Sequence, residues 1–310
     1  MSLSKSLIIF TLLLIILLQY SCYQENSNKV KIRKESSNKV FQLSDFDKLE
    51  TLHEKLNKPK PDEWLYVYKE VRQSFPEYFN MSPVHPTETR NKIYILPLGK
   101  FSEIEKKLIK NTSEYLHIFF MLDVETLASI PDKVIPNKSK RIIQGKEQLQ
   151  TFYILDSILL PKIPEDAICY ISITNKDLYP DNNWNYVFGQ AYLTKLTGVS
   201  SYCRFFEKKL DSTNFKKCLE RTIKTTTHEI CHMFSLKHCV IYPCLVNGSN
   251  HLEEADNKPL WLCPECLAKL QWSIKFDLIK RYDSLIDFSN KNGFDKEKNF
   301  YMKSKLIMCN

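Results

Sequence analysis

No feature of this chain restricts its fold more than the run His228-Glu229-Ile230-Cys231-His232 with His238 six residues beyond it. His228 and His232 stand at i and i+4, so on a helix they project from one face about a turn apart. Two imidazoles so placed can grip one Zn²⁺ at roughly 2.0–2.1 Å each. The spacing therefore predicts a helix over 214–236. Phe215, Leu219, Ile223, Ile230 and Phe234 form its apolar stripe, which leaves the histidine face to a cleft. Glu229 cannot share the coordination position, but it can reach a metal-bound water. His238 demands that the helix stop and the chain turn back to deliver a third ligand. Three neutral imidazoles leave one position open, the arrangement of a catalytic zinc. Cys231 lies inside the motif, but its helical angle points away from the metal face and assigns it to the core.

A second cluster follows at once. Of the 10 cysteines, Cys239 and Cys244 form one close pair and Cys263 and Cys266 another, the latter in Cys-Pro-Glu-Cys. Four thiolates in two close pairs suit a closed tetrahedral structural zinc. Two disulfides are the competing reading, a serious one if the chain is exported. Cys239 directly follows His238, so the two metal sites must be neighbours, the second bracing the loop that supplies the third ligand to the first.

The segment His228 to Cys266 resembles the archaemetzincins, metzincin-clan metallopeptidases whose pattern is HExxHxxGxxHC, four residues, Cys, a Met turn and a late CxxC. Weaker likeness extends to Phe75-Pro76-Glu77, to residues 92–99, to 177–180 through 188–191, and to the region around Arg204-Phe205, so it spans about residues 62–270. The resemblance implies a peptidase of the α/β class: a metzincin-like mixed twisted sheet, an active-site helix and a C-terminal helical subdomain. It implies two zinc ions per chain, one catalytic on His228, His232 and His238 and one structural on Cys239, Cys244, Cys263 and Cys266. Glu229 would be the general base that takes a proton from a metal-activated water and passes it to the leaving amine. It also implies that the edge segment 188–204 lines the cleft, where a peptide pairs with it as an added strand. Short peptides are the expected substrates; exopeptidase and endopeptidase action are not separated by the sequence.

Two positions depart from that pattern. Ser235 stands where the family has Gly at a turn of positive φ, a cost on the order of 1 kcal/mol. Val246 stands where the family has the Met that lies beneath the metal. They keep open a second reading, a catalytically weak or inactive exported metzincin-fold protein whose zincs are structural and which serves in binding. A third is an interaction module around the cysteines with HExxH incidental.

The rest of the chain sets bounds. With 310 residues, 43% apolar and 26% charged, it has room for a substantial core. The net charge of +8 comes from 44 basic residues dispersed along the chain against 36 acidic ones. No basic stripe favours nucleic acid. Residues 1–21 read as a signal peptide: Lys5, an apolar run over 7–18, then Ser21. Cys22 resembles an acylated lipoprotein cysteine, the only expected link to a membrane. The protein is accordingly expected to be exported, anchored by that lipid or else secreted or periplasmic, and monomeric. Residues 22–60 read as a flexible linker and 61–310 as one metallopeptidase domain. Within it, Lys92–Leu98 and Ala167–Thr174 read as strands, and Ser102 with Glu105 as a capping box that opens a helix. Residues 115–122 read as a buried strand holding a satisfied core histidine, His117; 131–145 as a basic loop; 146–160 as a helix; 187–205 as strands; and the end of the chain as helices from about Pro264. His53, His85 and His251 belong to no ligand pattern.

Overall fold

The computed structural model describes residues 41–309, so the expected signal peptide, Cys22 and most of the expected linker lie outside the described residues. Leu43 onward forms one compact unit. Five strands make the main sheet: β1 Lys92–Leu98, β2 Asp123–Thr126, β5 Ala167–Thr174, β7 Gly189–Ala191 and β8 Thr197–Ser201, in the order β2-β1-β5-β8-β7. All neighbours pair in parallel except β7, which closes the edge antiparallel to β8. Every residue of β5 is buried, as expected of a central strand covered on both faces. A smaller sheet is made of β3 Lys140–Ile143, β4 Lys146–Gln150 and β6 Asp177–Tyr179.

The helices are α1 Trp64–Val67, α2 Phe75–Asn80, α3 Glu103–Phe120, α4 Phe215–Met233, α5 Leu252–Asp256, α6 Pro264–Ile274, α7 Leu278–Asn292 and α8 Asp295–Cys309. The start of α3 is the expected capping box: Glu105 Oε2 accepts from Ser102 N at 2.8 Å and from Ser102 Oγ at 2.7 Å. α4 packs on β8 and β7 on one side and on α3 on the other. Leu219, Ile223, Ile230 and Phe234 are buried as the stripe required, while Phe215 is half-buried beneath Lys107. Helices α7 and α8 form a C-terminal pair, and α7 also packs against α3. The fold is thus the expected mixed α/β architecture with a terminal helical part.

Five expectations are corrected. The apolar run 115–122 is not a strand. Leu108, Thr112, Tyr115, Leu116 and Phe119 continue one buried helical face, so α3 runs to Phe120 and the strand comes after it. His117 falls off that face and is exposed, its Nδ1 bonded to Leu122 O at 2.8 Å. The loop 131–145 and the helix 146–160 conceal a hairpin. Gln144 and Gly145 both take positive φ, +52° and +74°, as a two-residue turn between antiparallel strands requires. Helical turns begin only at Thr151, pass into a π-helix over Ile154–Leu159, and leave Phe152 37% exposed rather than in the core. The expected linker also ends early, because Ser44–Asp47 and Lys48–Leu52 are helical turns that bury Phe46 and Leu49 against α6 and α8.

Candidate metal centres

α4 carries His228 and His232 on its cleft face, and the helix ends two residues before Ser235. Ser235 has φ +66°, the left-handed conformation normally given to glycine, and it is buried. Its side chain offsets the strain: Oγ donates to Leu193 O at 2.9 Å and accepts from Val84 N at 3.2 Å. A glycine could make neither bond. The turn therefore forms with serine in place and returns the chain to present His238. Val246, the other departure, is fully buried, and its carbonyl accepts from Cys239 N at 2.9 Å.

The ligand atoms of His228, His232 and His238 lie within 4.8 Å of one another. His228 Nδ1 faces Leu245 O at 2.9 Å, and His232 Nδ1 faces Leu236 O at 2.6 Å. His238 Nδ1 lies 2.9 Å from both carboxylate oxygens of Glu70. Carbonyls and carboxylates only accept, so each Nδ1 carries the proton and each Nε2 is bare. The bare nitrogens of His228 and His232 are 3.0 Å apart. Two lone pairs at that distance repel unless a cation lies between them, and a tetrahedral zinc sets its nitrogens about 3.3 Å apart. Burial and the neighbouring imidazoles also hold His228 and His232 neutral, pulling His232 down to about 3. The donor set, tautomers and spacing all fit zinc.

The four cysteine sulfurs likewise lie within 4.8 Å of one another, and all four residues are buried. Cys239 Sγ and Cys263 Sγ are 3.7 Å apart, against about 3.8 Å expected for thiolates around a tetrahedral zinc. None of the four is disulfide-bonded. Cys263 N donates to Cys244 Sγ at 3.2 Å, and Asn247 ties the loop by donating to Cys239 O at 2.7 Å and accepting from Cys244 N at 2.7 Å. Cys231 belongs to neither cluster; it is buried in the core, where desolvation pushes its thiol up. His53, His85 and His251 are also outside both.

Glu229 points into the same cleft, of about 820 Å³, that His228, His232 and His238 line. In the metal-free site burial pushes its carboxyl up to about 8. Its position depends on β7. A Cβ placed on Gly189 would come 2.5 Å from Glu229 Oε1, so the carboxylate lies directly on the edge strand's backbone. The expected cleft segment 188–204 thus lines the site through its β7 part.

A strap over residues 64–75 completes the site and was not foreseen from spacing. Glu70 reaches His238; the Trp64 ring stands edge-on to His238 at 5.0 Å and lies flat enough on Gly248 that any Cβ there would strike it. Buried Glu254 anchors Trp64 N at 3.1 Å. Gln73 donates to Ser235 O at 3.0 Å and accepts from Lys237 N at 3.1 Å. Glu265, between Cys263 and Cys266 at the start of α6, binds Arg72 in bidentate fashion at 3.0 Å and accepts from Phe75 N at 2.9 Å. These partners are about 160–190 residues apart in the chain, and no local pattern marks them.

The profile of the family described as Peptidase family M54 matches residues 103–272. The chain is 36% identical over 293 residues to archaemetzincin-2 of Homo sapiens, covering 83% of this chain and 79% of that protein. To archaemetzincin-2 of Rattus norvegicus it is 34% identical over 275 residues, with 78% and 76% covered. To archaemetzincin-1 of Homo sapiens it is 30% identical over 256 residues, with 72% and 51% covered. Among solved structures it is similar to archaemetzincin from Archaeoglobus fulgidus complexed with malonate, at 30% identity, with 57% of this chain and 99% of that chain covered and a TM-score of 0.46. Archaemetzincin from Methanopyrus kandleri gives 24% identity, 62% and 99% coverage and a TM-score of 0.48.

Proposed function

The chain belongs to the archaemetzincin family, peptidase family M54, and is a zinc metallopeptidase; from that premise we propose that it cleaves peptide bonds with Glu229 as general base and holds two zinc ions, one on three histidines and one on four cysteines. The observation that carries this reading is the convergence of three imidazoles whose outer nitrogens are all tied to acceptors and whose inner nitrogens are bare. Zinc bound there supplies Lewis acidity toward the scissile carbonyl and lowers the pKa of a coordinated water.

The chain's own residues do the rest. Glu229, held against the Gly189 backbone, accepts a proton from the attacking water and releases it to the departing amine. β7 offers an edge to which an extended peptide adds as a strand, holding the scissile bond beside Glu229. Leu245, Leu236 and Glu70 keep the imidazoles in one tautomer and orientation. The cysteine cluster is structural: its four residues are buried close to one another, and none of them lines the cleft.

The test is cleavage of a mixed peptide library by the protein and its Glu229→Gln variant, with metal content measured on both. The reading requires about two zincs in each and hydrolysis only by the wild type. Equal hydrolysis by both would sink the role of Glu229, and absence of hydrolysis by both with zinc bound would sink the catalytic reading. Export with a lipid on Cys22 is a further proposal resting on residues 1–22 alone; the mass of the mature N-terminus tests it, and an unprocessed Met1 would overturn it.

A further inference from the structure

One turn before His228 on the same face of α4 stands a lysine, Lys224, with only 7% of its surface exposed. It lines the same cleft as His228 and Glu229. Its ammonium donates to Ala255 O at 2.9 Å, and its nearest carboxylate is Glu220 at 3.9 Å. The acidic groups around it are engaged elsewhere. Asp256 is bidentate with Arg221, at 2.9 and 2.6 Å, and lies 3.4 Å from Lys217, which also reaches Glu220 at 3.4 Å. The other lysine that lines the cleft, half-buried Lys258, is different: it is held by Glu254 and Ser249 Oγ and by Gly248 O, which makes it a clasp of the loop. Burial pulls the Lys224 ammonium down to about 8 despite the opposing fields of Glu220, Asp256 and Glu297, with Lys217 adding to the fall. A cation so desolvated gains most from a partner that brings its own negative charge.

We propose that Lys224 is a specificity residue that binds a carboxylate of the substrate within one or two residues of the scissile bond. The proposal rests on the peptidase reading above. The distance follows from geometry: one helical turn is about 5.4 Å and an extended chain advances about 3.3–3.6 Å per residue. The carboxylate can belong to an Asp or Glu side chain or to the peptide's own C-terminus.

Matched peptides separate these sources. One set exchanges Glu for Gln at each position flanking the bond; the other compares a free with an amidated C-terminus. With the zinc-loaded wild type, kcat/KM should favour the carboxylate by at least about tenfold in one set, and that set identifies the source. Lys224→Gln and Lys224→Met should bring the ratio to about one, and Lys224→Glu should invert it toward a Lys peptide. Metal content and circular dichroism check the fold of each. Binding of the same labelled peptides to zinc-loaded Glu229→Gln gives a readout that needs no hydrolysis. A binding preference without wild-type cleavage would overturn the peptidase reading and leave the carboxylate site standing. Equal binding of the paired peptides, or a preference that survives loss of Lys224, would overturn the proposal.

Discussion

Replacing Glu70 asks how much of the histidine centre's affinity is built outside its three ligands. Both carboxylate oxygens lie 2.9 Å from His238 Nδ1. Burial acts to raise the Glu70 pKa, but the hydrogen bond and charge of His238 outweigh it, and the carboxyl sits below its ordinary 4.5. It is therefore an anion at neutral pH, polarising an imidazole that faces the metal. A hydrogen bond to a charged group is worth about 1.5–3 kcal/mol, and the Glu70 side chain is 30% exposed, so the lower end applies. About 1.4 kcal/mol is tenfold, which places Glu70→Ala at roughly a tenfold loss of metal affinity, the low edge of what outer carboxylates contribute. Glu70→Gln keeps an oxygen that accepts from Nδ1 and should lose about threefold. Cobalt titration separates the two centres, because only the cysteine site gives thiolate-to-metal charge transfer. If Glu70→Ala binds cobalt at the histidine site within about twofold of wild type, the carboxylate contributes nothing to ligand strength and the reasoning fails.

Gly189→Ala should cut kcat by about a hundredfold with zinc content unchanged, because the new methyl displaces Glu229 by about an ångström; unaltered kcat would show that the carboxylate does not act from that position. Ser235→Ala keeps the positive φ and loses both bonds of Oγ, so urea denaturation should show about 1–2 kcal/mol of destabilisation, whereas Ser235→Gly should stay within about 1 kcal/mol because relief of strain offsets the lost bonds. In the metal-free protein Glu229 has its folded pKa raised from 4.5 to about 8, so its protonated form is favoured by folding; that stability is fully present below pH 4.5 and is lost as pH rises through about 8. At about 1.4 kcal/mol per pH unit, Glu229→Gln should gain on the order of 5 kcal/mol over wild type between those limits, and a difference constant with pH would refute the shift. His228 and His232, held low, act oppositely in part of that window, but both proteins share them and they cancel.

What the sequence revealed about the site is what helical spacing can reveal. His228, Glu229 and His232 are placed by a 3.6-residue period that nothing else in α4 contradicts, and His238 by a turn whose positive φ at Ser235 was implied by the glycine of the family pattern. Short apolar stretches misled where period and length disagreed. Residues 115–122 are apolar enough for a buried strand, and only their phase with Leu108 and Thr112 identifies them as the end of α3. The hairpin at Gln144-Gly145 was marked by a single glycine, while Lys146–Gln150 lacks the β-branched residues that announce a strand.

The strap over residues 64–75 was invisible for a different reason: its role exists only between residues far apart in the chain. Its short helices carry no metal motif, yet Trp64, Glu70, Arg72, Gln73 and Phe75 each bond to or pack on the segment that runs from Ser235 to Glu265. Those contacts join the two centres into one mechanical unit. Glu70 holds the third histidine, and the next residue of the chain, Cys239, enters the sulfur cluster; Glu265 sits between two of that cluster's cysteines and returns to grip Arg72 and Phe75. The cluster therefore fixes both ends of the path that presents His238, from the ligand loop and through the strap. A metal lost from the cysteines should loosen Glu70 as well as His238, so Cys263→Ser is expected to weaken metal binding at the histidines, a site it does not touch. Cobalt titration of Cys263→Ser with unchanged affinity at the histidine site would show that the two centres are only neighbours.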